Sequence, residues 1–112
     1  MVTQTIERTA LTNLISNEDY ARKVLPFIKG NYFEVKEERI IFEEIYNFVD
    51  KYKTIPTQTS LEIEVGERKD LTEIEYKKIV EIIQTLNPVE VDFDWLVDTT
   101  EKFCKDKAIY NA

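Results

Sequence analysis

Hydrophobic residues recur at three- and four-residue steps along most of the chain, which is the spacing of one face of an α-helix. The pattern predicts six helices with short connections, spanning residues 4–15, 18–25, 36–53, 58–65, 73–86 and 92–112. Six amphipathic helices joined by short loops are typical of a helical bundle. The sequence therefore predicts an all-α fold, a compact bundle of about six helices.

Residues that favour helix ends stand at the predicted boundaries. The expected N-caps are Thr3 or Thr5, Asn17, Thr57, Thr72 and Asp92. Thr72 and Glu75 have the spacing of a capping box, in which each side chain accepts from the other residue's backbone N–H. At the other ends, Pro26 and Pro88 interrupt helical patterns, and Gly66 is the expected C′ residue of the fourth helix.

Aromatic residues mark the expected core. Tyr32 and Phe33 follow a turn at Gly30 and are expected to fill the core. The third helix has a broad apolar face, typical of a central helix, formed by Ile41, Phe42, Ile45, Tyr46, Phe48, Val49 and Tyr52. We expect Phe33, Phe42 and Trp95 to act as structural anchors. For Trp95, a place in an interface is the alternative.

The last helix is long for a domain of this size, roughly 30 Å for twenty residues. We expect residues 1–91 to form the globular bundle, and residues 92–112 to form an arm that packs on it and projects beyond it. Phe103, Ile109 and Tyr110 lie on the far half, where apolar side chains need cover, and are predicted interface residues. Because the arm is still amphipathic where the sequence stops, we expect an N-terminal piece of a longer protein.

The residue composition indicates the cellular compartment of the protein. With 43% hydrophobic residues, the 112-residue chain can bury a real core. Its single Cys cannot form an intramolecular disulfide and fits a reducing compartment. The N-terminus lacks the features of a signal peptide, and no apolar stretch is long enough to span a bilayer. We therefore expect a cytoplasmic protein without a membrane partner.

Charge and residue usage argue against catalysis and against nucleic-acid binding. The net charge of −7 opposes a basic phosphate-binding face, although it does not forbid a local basic patch, and without His the commonest general base is missing. No P-loop, dinucleotide fingerprint or zinc spacing is present. Cys104, without an activating base, is expected to be a small buried residue. We predict no catalytic residue, cofactor or metal in this chain.

Other charged residues are best explained as solvated. In the pairs Glu62/Glu64 and Asp92/Asp94, side chains two residues apart on a helix do not face each other, which favours solvated or capping roles. Contact with DNA or with an acidic partner is the alternative for the lysines, which are Lys77, Lys78, Lys102, Lys105 and Lys107.

Four stretches resemble a known family. They are Ile6-Glu7 through Leu14-Ile15-Ser16-Asn17; Tyr32-Phe33 with Arg39-Ile40-Ile41-Phe42-Glu43-Glu44-Ile45; Tyr52-Lys53-Thr54-Ile55-Pro56-Thr57 with Leu61; and Trp95-Leu96-Val97, Thr100-Glu101-Lys102-Phe103 and Lys107-Ala108-Ile109-Tyr110-Asn111-Ala112. Their order resembles the N-terminal domain of DnaB-type replicative DNA helicases, and within that family the form of T-even bacteriophages. Thr12 and Asn13 depart from the family pattern, because small Gly-type residues are common there in bacterial members.

The resemblance implies a hexameric ring that moves along single-stranded DNA and assembles with primase, with a helicase loader as a further partner. The ATPase motor, which binds ATP and Mg, would lie beyond Ala112. This domain would form the collar of the ring and pair with itself through a helical hairpin. The last helix would be the first hairpin arm, with Phe103, Lys107, Ile109 and Tyr110 at the interface. Little direct DNA binding is expected of this domain.

Two other functions fit the residues alone. One is a free-standing helical adaptor that binds other proteins and is unrelated to helicases. The other is a small nucleic-acid-binding domain, which the charge of −7 disfavours.

Overall fold

The computed structural model describes residues 5–111, and within them it contains six α-helices and one 3₁₀ turn at Gly30–Tyr32. The helices are α1 (Ile6–Leu14), α2 (Glu18–Val24), α3 (Lys36–Tyr52), α4 (Gln58–Gly66), α5 (Glu73–Thr85) and α6 (Phe93–Tyr110). The predicted all-α fold is confirmed. Within residues 5–111, no helix has both the length and the apolar composition needed to cross a bilayer.

Predicted side-chain caps open most of the helices. Thr5 accepts a hydrogen bond from the backbone N–H of Arg8 at 3.1 Å, and Asn17 does the same for Tyr20 at 3.1 Å. The capping box of Thr72 and Glu75 is present in both directions. Thr57 and Asp92 cap α4 and α6. The alternative cap Thr3, and the predicted first helical residue Gln4, lie outside the described residues.

The prediction that Gly66 is a C′ residue is wrong. Gly66 is the last residue of α4, and Glu67 follows it as a C-cap in the right-handed conformation. The left-handed conformation occurs instead at Lys53, with φ 59°, where α3 ends. Among the described residues, Lys53 is the one non-glycine residue with positive φ. A β-carbon at such an angle costs about 1–2 kcal/mol.

Helix α3 lies at the centre of the fold. It packs on α1, α4, α5 and the 3₁₀ turn, while α6 packs on α1, α2 and that same turn. Phe33 and Phe42 are both buried and stack with their ring centroids 5.2 Å apart. The C-terminal half of the apolar face of α3 is only partly covered. Tyr46 borders an open groove, and the ring of Tyr52 lies tilted against that of Phe48 with centroids 4.7 Å apart. Both tyrosines remain about half exposed.

Polar contacts join helices that are distant in sequence. Arg8 on α1 donates to Glu38 on α3 at 2.5 Å, and the side chain of Glu38 is only 6% exposed. The side-chain amide of Gln58 donates to the carbonyls of Ile83 and Leu86 at 2.9 and 3.1 Å. It therefore caps the C-terminal end of α5, where the Ile83 carbonyl also accepts from the backbone N–H of Leu86 at 3.1 Å.

Candidate interaction surface on the last helix

The first three turns of α6 are fixed to the bundle. Leu96, Val97, Thr100 and Cys104 face inward and are buried. The hydroxyl of Thr100 donates to the carbonyl of Leu96 at 2.7 Å and lies 2.7 Å from the hydroxyl of Tyr20 on α2. Burial raises the pKa of Tyr20 to about 12, so this phenol stays protonated at neutral pH.

Cys104 is a buried thiol. Its side chain is 4% exposed. Burial, with a smaller contribution from the charge of Glu101, raises its pKa to about 11. Since the thiolate is the reactive form, the thiol at this position has the character of a small apolar residue.

The second half of α6 is held by the 3₁₀ turn and the residues that follow it. The ring of Phe103 meets the ring of Phe33 edge-on, with centroids 6.4 Å apart. Lys107 Nζ lies 2.5 Å from a carboxylate oxygen of Glu34, and this ion pair lowers the pKa of Glu34. At the end of the helix, Asn111 donates to the carbonyl of Asn31 at 3.2 Å.

The expectation that this half outruns the domain is therefore wrong for Phe103, and Lys107, which the resemblance places at the interface, is covered as well. Phe103 packs against the core, and the side chain of Lys107 is only 16% exposed. Contacts within the chain cover both residues, because residues 31–34 fold back against α6. Sequence periodicity places a residue on a face of its helix, but it does not identify what lies opposite that face.

Ile109 and Tyr110 are uncovered. Their exposed fractions are 78% and 80%, the highest among the large hydrophobic side chains of residues 5–111. They form the C-terminal end of α6, beyond the contacts made by Phe103 and Lys107. Two adjacent side chains of this size in water form an apolar surface that a partner could cover.

Trp95 is not the anchor that the sequence predicted. Its side chain is 54% exposed, while its neighbours Leu96 and Val97 occupy the core. Trp95, Lys102 and Ile109 are spaced at steps of seven residues, which places them on one face of a helix. We call Trp95, Lys102, Ile109 and the adjoining Tyr110 the outer face of α6. The seven-residue step is the sequence signal that relates Trp95 to Ile109.

Among residues 5–111, no group of three or more His, Cys, Asp or Glu side chains is arranged to hold a metal ion. Asp92 serves as a cap, accepting from the backbone N–H of Trp95 at 2.9 Å. The outer face of α6 carries exposed apolar side chains, the kind of surface that another protein can cover.

Comparison with known proteins relates this helical domain to a class of replication enzymes. No family model matches the chain. The chain is nevertheless similar to part of a replicative DNA helicase. It is 32% identical over 102 residues to the DnaB-like replicative helicase of Enterobacteria phage T4.

The match covers 91% of this chain but 21% of the phage helicase. The chain thus spans about a fifth of the length of this relative. The resemblance to DnaB-type helicases that the sequence motifs indicated is confirmed.

Proposed function

We propose that this chain is the N-terminal collar domain of a hexameric phage replicative DNA helicase. In this role it pairs with copies of itself and contributes to the binding of primase in the host cytoplasm. The main support is the relation to the phage T4 helicase across 91% of the chain. The all-helical fold agrees with this role, because such a domain presents helix faces for protein–protein contacts.

The chemistry of the whole helicase would lie outside this chain. An ATPase of this kind holds the phosphates of ATP and Mg in a P-loop, and the 112 residues contain no P-loop sequence. The matched region is 21% of the relative, which leaves ample length for a motor domain. We therefore propose that this chain acts by binding other proteins and is not itself an enzyme.

The observation that carries the self-association is the exposed end of α6. Ile109 and Tyr110 project from a helix whose other large apolar side chains, apart from Trp95, are buried or partly buried in the fold. A second copy of the chain would cover them and remove their apolar surface from water. Trp95 extends the same surface toward the start of the helix, as half-exposed aromatic residues often do at interfaces.

Sedimentation across a concentration series tests self-association. We expect the wild-type chain to dimerise with rising concentration and Tyr110→Ala to dimerise more weakly. Tyr52→Ala is the matched control, since Tyr52 is also exposed but lies on α3. A strictly monomeric wild type, or equal weakening by both substitutions, would contradict a role for the end of α6.

Primase binding needs its own measurement. The labelled chain is titrated with the primase of the same phage, and saturable binding is expected. Wild-type and Tyr110→Ala chains are compared, which shows whether the outer face of α6 takes part. Absence of binding would remove primase from the proposal and leave self-association to be judged separately.

A further inference from the structure

An open groove lies between α2 and the C-terminal half of α3. Both helices pack on α1, but among the described residues they do not pack directly on each other. Leu25 and Pro26 line the groove at the end of α2, and Tyr46 and Val49 line it on α3. Ile55, which follows α3, contributes to the same lining. We call this space, with a volume of about 540 Å³, the α2–α3 groove.

The lining of the α2–α3 groove offers apolar surface to a partner. Leu25, Val49 and Ile55 pack against the core but are only partly buried. The side chain of Tyr46 is 48% exposed. The volume lies within the range of pockets that bind drug-sized ligands, so it can accept a pair of large side chains. Apolar side chains in the groove would be removed from water together with its lining.

The rim of the groove carries charges of both signs. Asp50 and Lys53 line it, and within residues 5–111 neither forms an ion pair. The other charged lining residues, Glu18 and Arg22, pair with each other at 3.4 Å. One acid and one base on the rim match an occupant that also carries both charges. They do not favour a uniformly basic or uniformly acidic peptide.

The end of α6 has the complementary character. Ile109 and Tyr110 are its uncovered apolar side chains, and Asp106 lies beside them. Lys102 is four residues before Asp106, about one helical turn away on the same side of α6. Within residues 5–111, neither of these charged residues forms an ion pair. The end of α6 thus combines two large apolar side chains with one acid and one base.

The groove and the end of α6 adjoin on the surface of the molecule. The side chain of Asn111 donates to the carbonyl of Asn31 at 3.2 Å. Asn31 lines a second cavity, which shares Leu25, Pro26 and Tyr46 with the α2–α3 groove. Two adjoining patches can pair reciprocally across a two-fold axis, because each copy then offers one patch and receives the other.

We propose that the end of α6 of one copy lies in the α2–α3 groove of a second copy, and reciprocally. Ile109 and Tyr110 occupy the apolar space, and Lys102 and Asp106 face the rim charges. Because Ile109 and Tyr110 are exposed, they do not fill the groove of their own chain. This inference rests on the proposed self-association and names the surface that receives α6.

Sedimentation of groove variants across a concentration series tests the inference. Tyr46→Ala removes an aromatic wall of the groove and should weaken the dimer about tenfold. Tyr52→Ala is the matched control, since Tyr52 is half exposed on the same helix but lies outside the groove. If Tyr46→Ala dimerises like the wild type while Tyr110→Ala does not, the groove is overturned and self-association through α6 stands. A monomeric wild type would overturn both.

Mixing two variants tests reciprocity. Tyr46→Ala retains the end of α6, and Tyr110→Ala retains the groove, so a mixed dimer has one intact contact. We therefore expect the mixture to associate more strongly than either variant alone. A mixture that associates no more strongly than its components would overturn the reciprocal arrangement.

Charge exchange tests the rim with milder substitutions. Lys53→Glu and Asp106→Lys each place like charges together and should weaken the dimer about fivefold at low salt. The double variant restores opposite charges and should recover the wild-type affinity. Both positions are exposed, so these variants test the groove even if Tyr46→Ala fails to fold.

Lys51→Glu is the matched control for the charge exchange. Lys51 is exposed, lies two residues from Lys53 and does not line the groove. Its substitution changes the net charge as Lys53→Glu does and should leave the dimer unchanged. Equal weakening by Lys51→Glu and Lys53→Glu, or no recovery in the double variant with Asp106→Lys, would overturn the proposed contact.

Discussion

The hydroxyl of Tyr20 on α2 lies 2.7 Å from the hydroxyl of Thr100 on α6, although 80 residues separate them in the chain. Both side chains are fully buried. Because the hydroxyl of Thr100 donates its hydrogen bond to the carbonyl of Leu96, the hydroxyl of Tyr20 must be the donor in this pair. A satisfied polar contact in an apolar environment has a defined geometry, so it sets how α6 lies on α2.

Removal of the Tyr20 hydroxyl and removal of the Thr100 hydroxyl should lower the free energy of unfolding by different amounts. Tyr20→Phe deletes the donor and should lower the free energy of unfolding by about 0.5–1.5 kcal/mol. Thr100→Val leaves the buried Tyr20 hydroxyl without an acceptor and should cost more, about 1–3 kcal/mol. Urea denaturation of both variants and of the double variant measures the difference. If Tyr20→Phe costs the same with and without Thr100, the two groups do not interact.

Stability should fall in alkaline solution. The unfolded chain ionises Cys104 near pH 9.0 and Tyr20 near pH 10.0, whereas in the folded protein their pKa values are about 11 and 12. Both raised values favour the protonated folded state, so this stabilisation is complete below pH 9 and is lost as pH rises through 11 and 12. Above pH 10, Tyr20→Phe should reduce the alkaline loss in the free energy of unfolding by roughly 2–3 kcal/mol. Urea unfolding of the wild type and of Tyr20→Phe from pH 8 to 12 tests this. Parallel plots of the free energy of unfolding against pH for the two proteins would contradict it.

The ion pair of Arg8 and Glu38 should respond asymmetrically to substitution. The side chain of Glu38 is 6% exposed and that of Arg8 is 34% exposed, so water can solvate only the arginine once the pair is broken. Arg8→Met should therefore destabilise by roughly 2–3 kcal/mol, and Glu38→Gln by about 1 kcal/mol. The double variant Arg8→Met, Glu38→Leu should recover most of the loss. Equal costs for the two single variants would show that Glu38 is solvated.

Local interactions were predictable from the sequence. Asn17, Thr72 and Asp92 cap their helices as expected, because each contact lies within three residues of the cap and needs no tertiary information. The burial of Phe33 and Phe42 was also predictable, from the turn that precedes Phe33 and from the broad apolar face of α3 that carries Phe42.

Tertiary relations were not predictable. Glu34 and Lys107 are 73 residues apart, and nothing in either local pattern indicates that they meet. The exposure of Ile109 and Tyr110 agrees with their position at the end of the helix. Phe103, in contrast, is covered by Phe33, which only the fold brings near. The left-handed Lys53 likewise depends on the direction that the chain takes after α3.

Truncation of Trp95 should cost much less than truncation of a core aromatic. Trp95 is 54% exposed, so Trp95→Ala should lower the free energy of unfolding by less than about 1.5 kcal/mol. Phe33→Ala, at a fully buried site, should cost about 3–5 kcal/mol. Thermal or urea unfolding of the two variants provides the comparison. A cost for Trp95→Ala equal to that for Phe33→Ala would place the indole in the core.

Replacing Lys53 with glycine should stabilise the protein. Lys53 ends α3 with φ 59°, and its N–H donates to the carbonyl of Val49 at 2.8 Å, a cap that suits glycine. Lys53→Gly relieves about 1–2 kcal/mol of left-handed strain but adds freedom to the unfolded chain. The expected net gain in the free energy of unfolding is about 0.5–1 kcal/mol.

Lys51→Gly is the matched control for this substitution. Lys51 lies in the last helical turn of α3, where glycine should cost about 1 kcal/mol. The two lysines are both exposed and two residues apart, so the substitutions change charge and side-chain size equally. If urea unfolding shows a gain in the free energy of unfolding for Lys53→Gly and a loss for Lys51→Gly, the backbone conformation at residue 53 decides the outcome. Destabilisation by both would mean that Lys53 does not adopt the left-handed cap in solution.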